Sequence, residues 1–128
     1  MRRVILSAMV AASFALASAR EPNRSALLEA IRLRENSHTR GAAGELGPYQ
    51  MVPKTVRDAG GYDRAAATRH LMWIERQLAR KRVAVSAFNI ALCWNAGLER
   101  ATSGRAKESS YWYATDVERI YHSLRPQP

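Results

Sequence analysis

The stretch 30-AIRLRENSHTRGAAGELGPYQM-51 decides how this chain is read. It opens as the end of an amphipathic helix. Leu27, Leu28 and Ile31 recur at the helical period, and Glu35 falls four residues after Ile31 and seven after Leu28. A carboxylate therefore continues an apolar stripe. That placement is costly unless the group has a partner or a use. Partial desolvation suits a carboxyl group to general-acid work near neutral pH. The plainer reading is an ion pair with Arg32, Arg34 or Arg40. Asn36 to Gly44 is loop by composition. Gly44, Gly47 and Pro48 then demand tight backbone geometry. A small hairpin or coiled loop over Gly44 to Met51 is expected beside the first helix, the only β-like region of the chain.

Outward from this stretch the chain reads as helix after helix. Ser25 is a suitable N-cap for the first, with Pro22 just upstream, and the helix is expected to run to about Asn36. Pro53 suits the first position of a short helix that Gly60-Gly61 ends. Asp63 can cap a long helix reaching about Lys81, with Ala67, Leu71, Ile74 and Leu78 as its stripe. His70 and Trp73 flank that stripe, and no His, Cys or carboxylate cluster has metal-ligand spacing. Val83 to Trp94 is apolar on almost every face, which marks a buried central helix, and Gly97 stops it. Ala101 to Ser110 reads as a polar basic loop. A last helix is expected from about Tyr111 to Leu124, with Tyr113, Val117, Ile120 and Leu124 on one face. The fold class is thus mainly α, in one domain.

The 128 residues bound the chain to that single domain. Residues 1–19 resemble a secretory signal peptide: Arg2 and Arg3, an apolar run from Val4 to Leu16, and the small-x-small site Ala17-Ser18-Ala19. The run is short for a bilayer span, so export to the periplasm or exterior without a stable membrane anchor is expected, with residues 20–128 as a monomeric domain. The lone cysteine, Cys93, excludes an internal disulfide and reads as a buried, inert thiol. The net charge of +9 suits an anionic partner such as a cell wall. Apart from Arg80-Lys81-Arg82 the cations are spread along the chain, which with export argues against nucleic acid.

Four pieces in order carry a resemblance: Glu35-Asn36-Ser37, Gly44 to Met51, Trp94-Asn95-Ala96-Gly97, and Tyr113 to Val117 running on to Tyr121. Together they resemble the lytic transglycosylase and goose-type lysozyme group, over roughly Ser25 to Leu124. The resemblance implies an α+β lysozyme-like fold and cleavage of the MurNAc–GlcNAc β-1,4 bond of peptidoglycan, with no metal and no cofactor. It implies Glu35 as acid and then base, and Gln50, Tyr49, Trp94, Asn95 and Tyr113 as substrate-binding residues. The position of Trp94 is typically a tyrosine in that group, so a stacking ring is kept and a phenolic hydroxyl lost. Each residue also has a plainer reading. Gln50 could brace its loop, Tyr49 could plug the space beneath it, Asn95 could cap a helix, and Tyr113 could be a core tyrosine. Glu45 is the only acid in the stretch facing Glu35, with Asp58 and Asp63 later. A two-carboxylate hydrolase therefore lacks an obvious second acid. Lytic transglycosylases, which this chain resembles, do without a second, so a transglycosylase is the first expectation. A hydrolytic muramidase and an inactive exported glycan-binding protein are the alternatives.

Overall fold

The computed structural model describes residues 22–35 and 44–125. The expected leader, Arg40 and most of the loop after Glu35 lie outside them. The described residues form six helices: α1 (Arg24–Glu35), α2 (Pro53–Ala59), α3 (Arg64–Arg80), α4 (Ala87–Ala96), α5 (Leu98–Ser103) and α6 (Glu108–Leu124). The fold is mainly helical and a single small domain.

The helix ends follow local chemistry. α1 is capped by Asn23, whose Oδ1 accepts from the Ala26 amide at 3.0 Å. Ser25, the expected cap, instead lies in the first turn. Pro53 opens α2, and Gly60, at φ 79°, closes it. Asp63 caps α3, accepting from the Ala66 amide at 2.9 Å. α4 starts later than the apolar run suggested. Ser86 accepts from the Asn89 amide at 3.1 Å, and Asn89 Nδ2 donates back to the Ala84 carbonyl at 2.9 Å. Ser86 and Asn89, the two polar residues within the apolar run, therefore build the helix N-terminus. α5 takes in the first residues of the loop expected over Ala101 to Ser110, and α6 begins within it at Glu108, ahead of Tyr111.

α6 is the backing element, and its largest interfaces are with α4 and α1. Leu27, Leu28 and Ile31 of α1 are fully buried, as are Leu71, Ile74 and Leu78 of α3, Ile90 of α4 and Val117 of α6. All four α3 stripe residues face this core. Val117 and Tyr113 do so on α6, whereas Leu124 is exposed and Tyr121 takes the inward place. The start of α1 is fixed at both sides. The Asn23 amide donates to Tyr121 Oη at 2.9 Å, and Arg24 Nε donates to the buried Glu75 at 2.8 Å. Cys93 is buried, and burial pushes its thiol up to about 12, so it packs as a small apolar group and does not serve as a nucleophile.

Of the expected β-like segment, one antiparallel bridge is present, Leu46 with Met51, with amide–carbonyl distances of 2.8 and 3.0 Å. It closes the turn Gly47-Pro48-Tyr49-Gln50. Met51 is 2% exposed and anchors the turn in the core.

Candidate functional site

Glu35 is the last residue of α1, part-buried, one turn beyond the core residue Ile31. The end of a helix is the negative pole of its dipole, so Arg32 and Arg34 in the last turn are favourable there and Glu35 is not. The two arginines have other carboxylate partners. Arg32 pairs with Glu29 through two contacts, one of them Nε to Oε2 at 2.9 Å. Arg34 Nε donates to Asp116 Oδ2 of α6 at 3.0 Å, and its guanidinium lies 5.3 Å from the centre of the Tyr113 ring.

Tyr113 stands behind Glu35. It is 3% exposed, and its hydroxyl pKa is raised well above the ordinary value, first by burial, then by the Glu35 charge and a hydrogen bond to that carboxylate, with Arg34 opposing. The contact is loose: Oη meets no partner with ordinary hydrogen-bond geometry. A phenol that burial keeps protonated thus stands beside a part-buried carboxylate. This arrangement can hold Glu35 in place without taking its proton.

The turn from Gly47 to Gln50 supplies the next two residues named from sequence. Gln50 has φ 48°, a left-handed conformation unusual for a residue with a side chain. Its Nε2 donates to the Gly47 carbonyl at 2.9 Å, so the amide braces its own turn. Tyr49 is 4% exposed and packs in the core. It is a plug, and its ring presents no face for a sugar to stack on, which corrects the expectation of a substrate-stacking residue.

Trp94 and Asn95 come from the end of α4. Trp94 Nε1 donates to the Tyr49 carbonyl at 2.9 Å, fastening α4 to the turn across 45 positions of sequence. Asn95 is exposed and accepts from Ser110 Oγ at 2.7 Å through Oδ1, tying α4 to α6. Gly97, at φ 89°, closes α4, so Asn95 is not the C-cap. We expect Trp94→Phe to lower stability by about 1–3 kcal/mol, because the carbonyl loses its donor while the ring volume is largely kept. Urea denaturation reads this directly, and an unchanged midpoint would mean that the bond does not hold the turn.

The six residues named from sequence do not surround one cavity. Trp94 and Asn95 line a groove of about 1020 Å³ between α2, α3 and the end of α4, while Glu35, Tyr49, Gln50 and Tyr113 are not in its wall. Asp58 is in the wall, and a hydrogen bond from Lys54, at 2.7 Å, lowers its pKa. Asp63 is occupied as the cap of α3.

The groove has aromatic walls that the sequence reading passed over. His70 lies under Trp73, with ring centres 5.9 Å apart and planes 14° from parallel, and meets Trp94 edge-on at 4.8 Å. The clue available in sequence was their spacing: His70 and Trp73 are three apart and so share a helix face. Burial holds the His70 imidazole down at about 4, below the usual 6.5, with Asp58 opposing. Between those two values the unfolded chain binds a proton that the folded chain refuses. The His70 contribution is therefore fully present above about pH 6.5 and is lost as pH falls toward 4, on the order of 3 kcal/mol in total. Urea midpoints measured down that range are expected to fall, and His70→Phe is expected to flatten the fall. Parallel curves for the two proteins would refute the assignment.

No family model, no curated protein and no solved structure matches this chain.

Proposed function

We propose that this chain is an exported, lysozyme-like lytic transglycosylase that cleaves the MurNAc–GlcNAc β-1,4 bond of peptidoglycan. The observation that carries the reading is the pairing of Glu35 with Tyr113. A carboxylate sits part-buried at the disfavoured pole of its helix. Behind it stands a phenol that burial keeps protonated. Residues that lower stability locally are often those retained for activity.

In the proposed reaction Glu35 begins protonated. Its proton passes to the glycosidic oxygen as the bond from C1 of the muramic acid breaks. The positive charge that develops at C1 faces the carboxylate that has just formed. The C6 hydroxyl of the same sugar then closes on C1, and Glu35 takes the hydroxyl proton, which returns the enzyme to its starting state. The product is a 1,6-anhydro sugar, with no water consumed. Tyr113, buried beside the carboxylate, acts as a positioning group in both steps. The basic balance, +9 for the full sequence of which only Arg2 and Arg3 fall in the expected leader, is consistent with a polyanionic wall as substrate.

The test is mass spectrometry of fragments released from purified peptidoglycan by the protein beginning at Arg20. Anhydro-muramyl ends are expected. Reducing ends that depend on Glu35 would replace this reading with a hydrolytic muramidase of the same kind. Release of nothing from several wall sources would leave an inactive glycan-binding protein.

A further inference from the structure

The groove between α2, α3 and the end of α4 has a wall composition that cleavage at Glu35 does not explain. Trp73 is 41% exposed although it stands in a helix whose other face is core. It is backed by His70, so its position is set before any ligand arrives. Arg69, Trp73 and Arg76 follow one another at helical spacings of four and three, on one face of α3. Arg57 faces them from α2, and all four line the groove.

The charges in the wall are unequal. Among the described residues of the wall, Lys54, Arg57, Arg69 and Arg76 face a single carboxylate, Asp58. Lys54 and Asp58 neutralise one another. Arg69 Nε donates to the Ala59 carbonyl at 2.8 Å and so fastens α2 to α3. Arg57 and Arg76 remain, with no hydrogen bond or close ion pair to a described residue. Two guanidinium groups flanking a fixed, exposed indole in a concave wall match a ring that has an apolar face and carries carboxylates.

We infer that this groove binds an acidic saccharide strand, with Trp73 stacked on a sugar ring and Arg57 and Arg76 holding carboxylates attached beside it. Identifying that strand as peptidoglycan with its acidic stem peptides rests on the function proposed above. Recognition of sugar plus carboxylate does not, because Glu35 lies outside the groove. The site would make the chain selective for walls bearing free carboxylates over neutral polymers of N-acetylglucosamine. A phosphate polymer would use the same arginines, so the probes must separate the two.

The experiment measures binding of the Glu35→Gln protein, which holds its substrate without cutting it. The probes are purified sacculi, sacculi whose carboxylates have been amidated with a carbodiimide and methylamine, chitin, and single-stranded DNA. We expect tight binding to native sacculi and about tenfold weaker binding to amidated sacculi and chitin, the scale of one charge-assisted hydrogen bond lost. On the same protein, Trp73→Ala should weaken binding to native and amidated sacculi alike. The pair Arg57→Ala and Arg76→Ala should abolish the preference for native sacculi, and Arg57→Lys with Arg76→Lys should restore part of it. Each variant is compared at equal melting temperature or with the shift subtracted. Unchanged binding in both the Trp73 and the arginine variants overturns the inference, as does arginine-dependent binding that is tighter to DNA than to sacculi. A chain that releases no fragments yet shows the arginine-dependent preference would sink the proposed cleavage and leave this site standing. A chain that cleaves while its groove variants bind normally would do the reverse.

Discussion

Glu35→Gln is expected to reduce release of glycan fragments by at least about 10²-fold, the lower end of what a positioned acid–base group contributes. Glutamine matches glutamate in shape and can still meet the Tyr113 hydroxyl. What it cannot do is give a proton to the leaving oxygen and take one back. The same substitution should leave the fold intact or improve it. It removes a negative charge from the negative end of α1, where such charges are unfavourable by roughly 0.3–1 kcal/mol. The expected signature is therefore activity lost at a melting temperature that is equal or higher. Fragment release and thermal unfolding on one preparation measure both. A salt-bridge residue would behave in the opposite way, with stability lowered and any cleavage retained.

The second large effect is expected at Gly47, where alanine should both destabilise the chain and disable the turn. Gly47 has φ 75°, which costs a residue with a β-carbon about 1–2 kcal/mol. The added carbon would also lie 2.7 Å from Tyr62 Cδ2 and 3.3 Å from the Tyr62 carbonyl oxygen. The Tyr62 ring is 48% exposed and can swing aside, but the carbonyl belongs to the backbone entering α3. The turn must therefore shift. Its carbonyl accepts from Gln50 Nε2, and the neighbouring Tyr49 carbonyl accepts from Trp94. A fall in melting temperature of roughly 4–8 °C per kcal/mol is expected for a domain of this size, with cleavage reduced by more than the loss of folded protein explains. An alanine variant that melts and cuts like the parent would show that the turn tolerates a β-carbon.

Much of the helical frame was legible because single residues state it locally. Asp63 and Pro53 mark starts, Gly60 and Gly97 mark ends, and the α3 stripe repeats without a gap. Where the reading slipped, a residue had two local meanings. Ser86 reads as a polar flaw in an apolar helix or as its N-cap, and only the extended backbone before it distinguishes them. α5 has six residues and buries none, so it leaves no stripe to find. Glu35 and Tyr113 were each legible as continuing the buried face of a helix; that the two meet depends on how α1 packs on α6, which periodicity does not state. Tyr49 was not legible in this way. Whether a turn residue points in or out depends on neighbouring backbone angles, and Gln50 adopts a positive φ that its residue type does not announce. The groove was hidden for a different reason. Arg57, Trp73 and Trp94 are brought together by packing of three helices, and no local pattern encodes that meeting.

The heavy reliance on α6 has a consequence in time. α1 is synthesised before α6, with α2 to α5 between them, yet their contact is among the most extensive in the domain. Until α6 has emerged, the apolar face of α1 has no such cover, and Glu35 has no phenol behind it. Contacts so distant in sequence are slow to form, because the chain between them must first be drawn together. The carboxylate is made early and its setting is completed last. A chain cut short anywhere before Tyr113 would carry the acid of the proposed reaction without the phenol that stands behind it. A wall-cutting activity would thus remain silent in every incomplete copy of the protein.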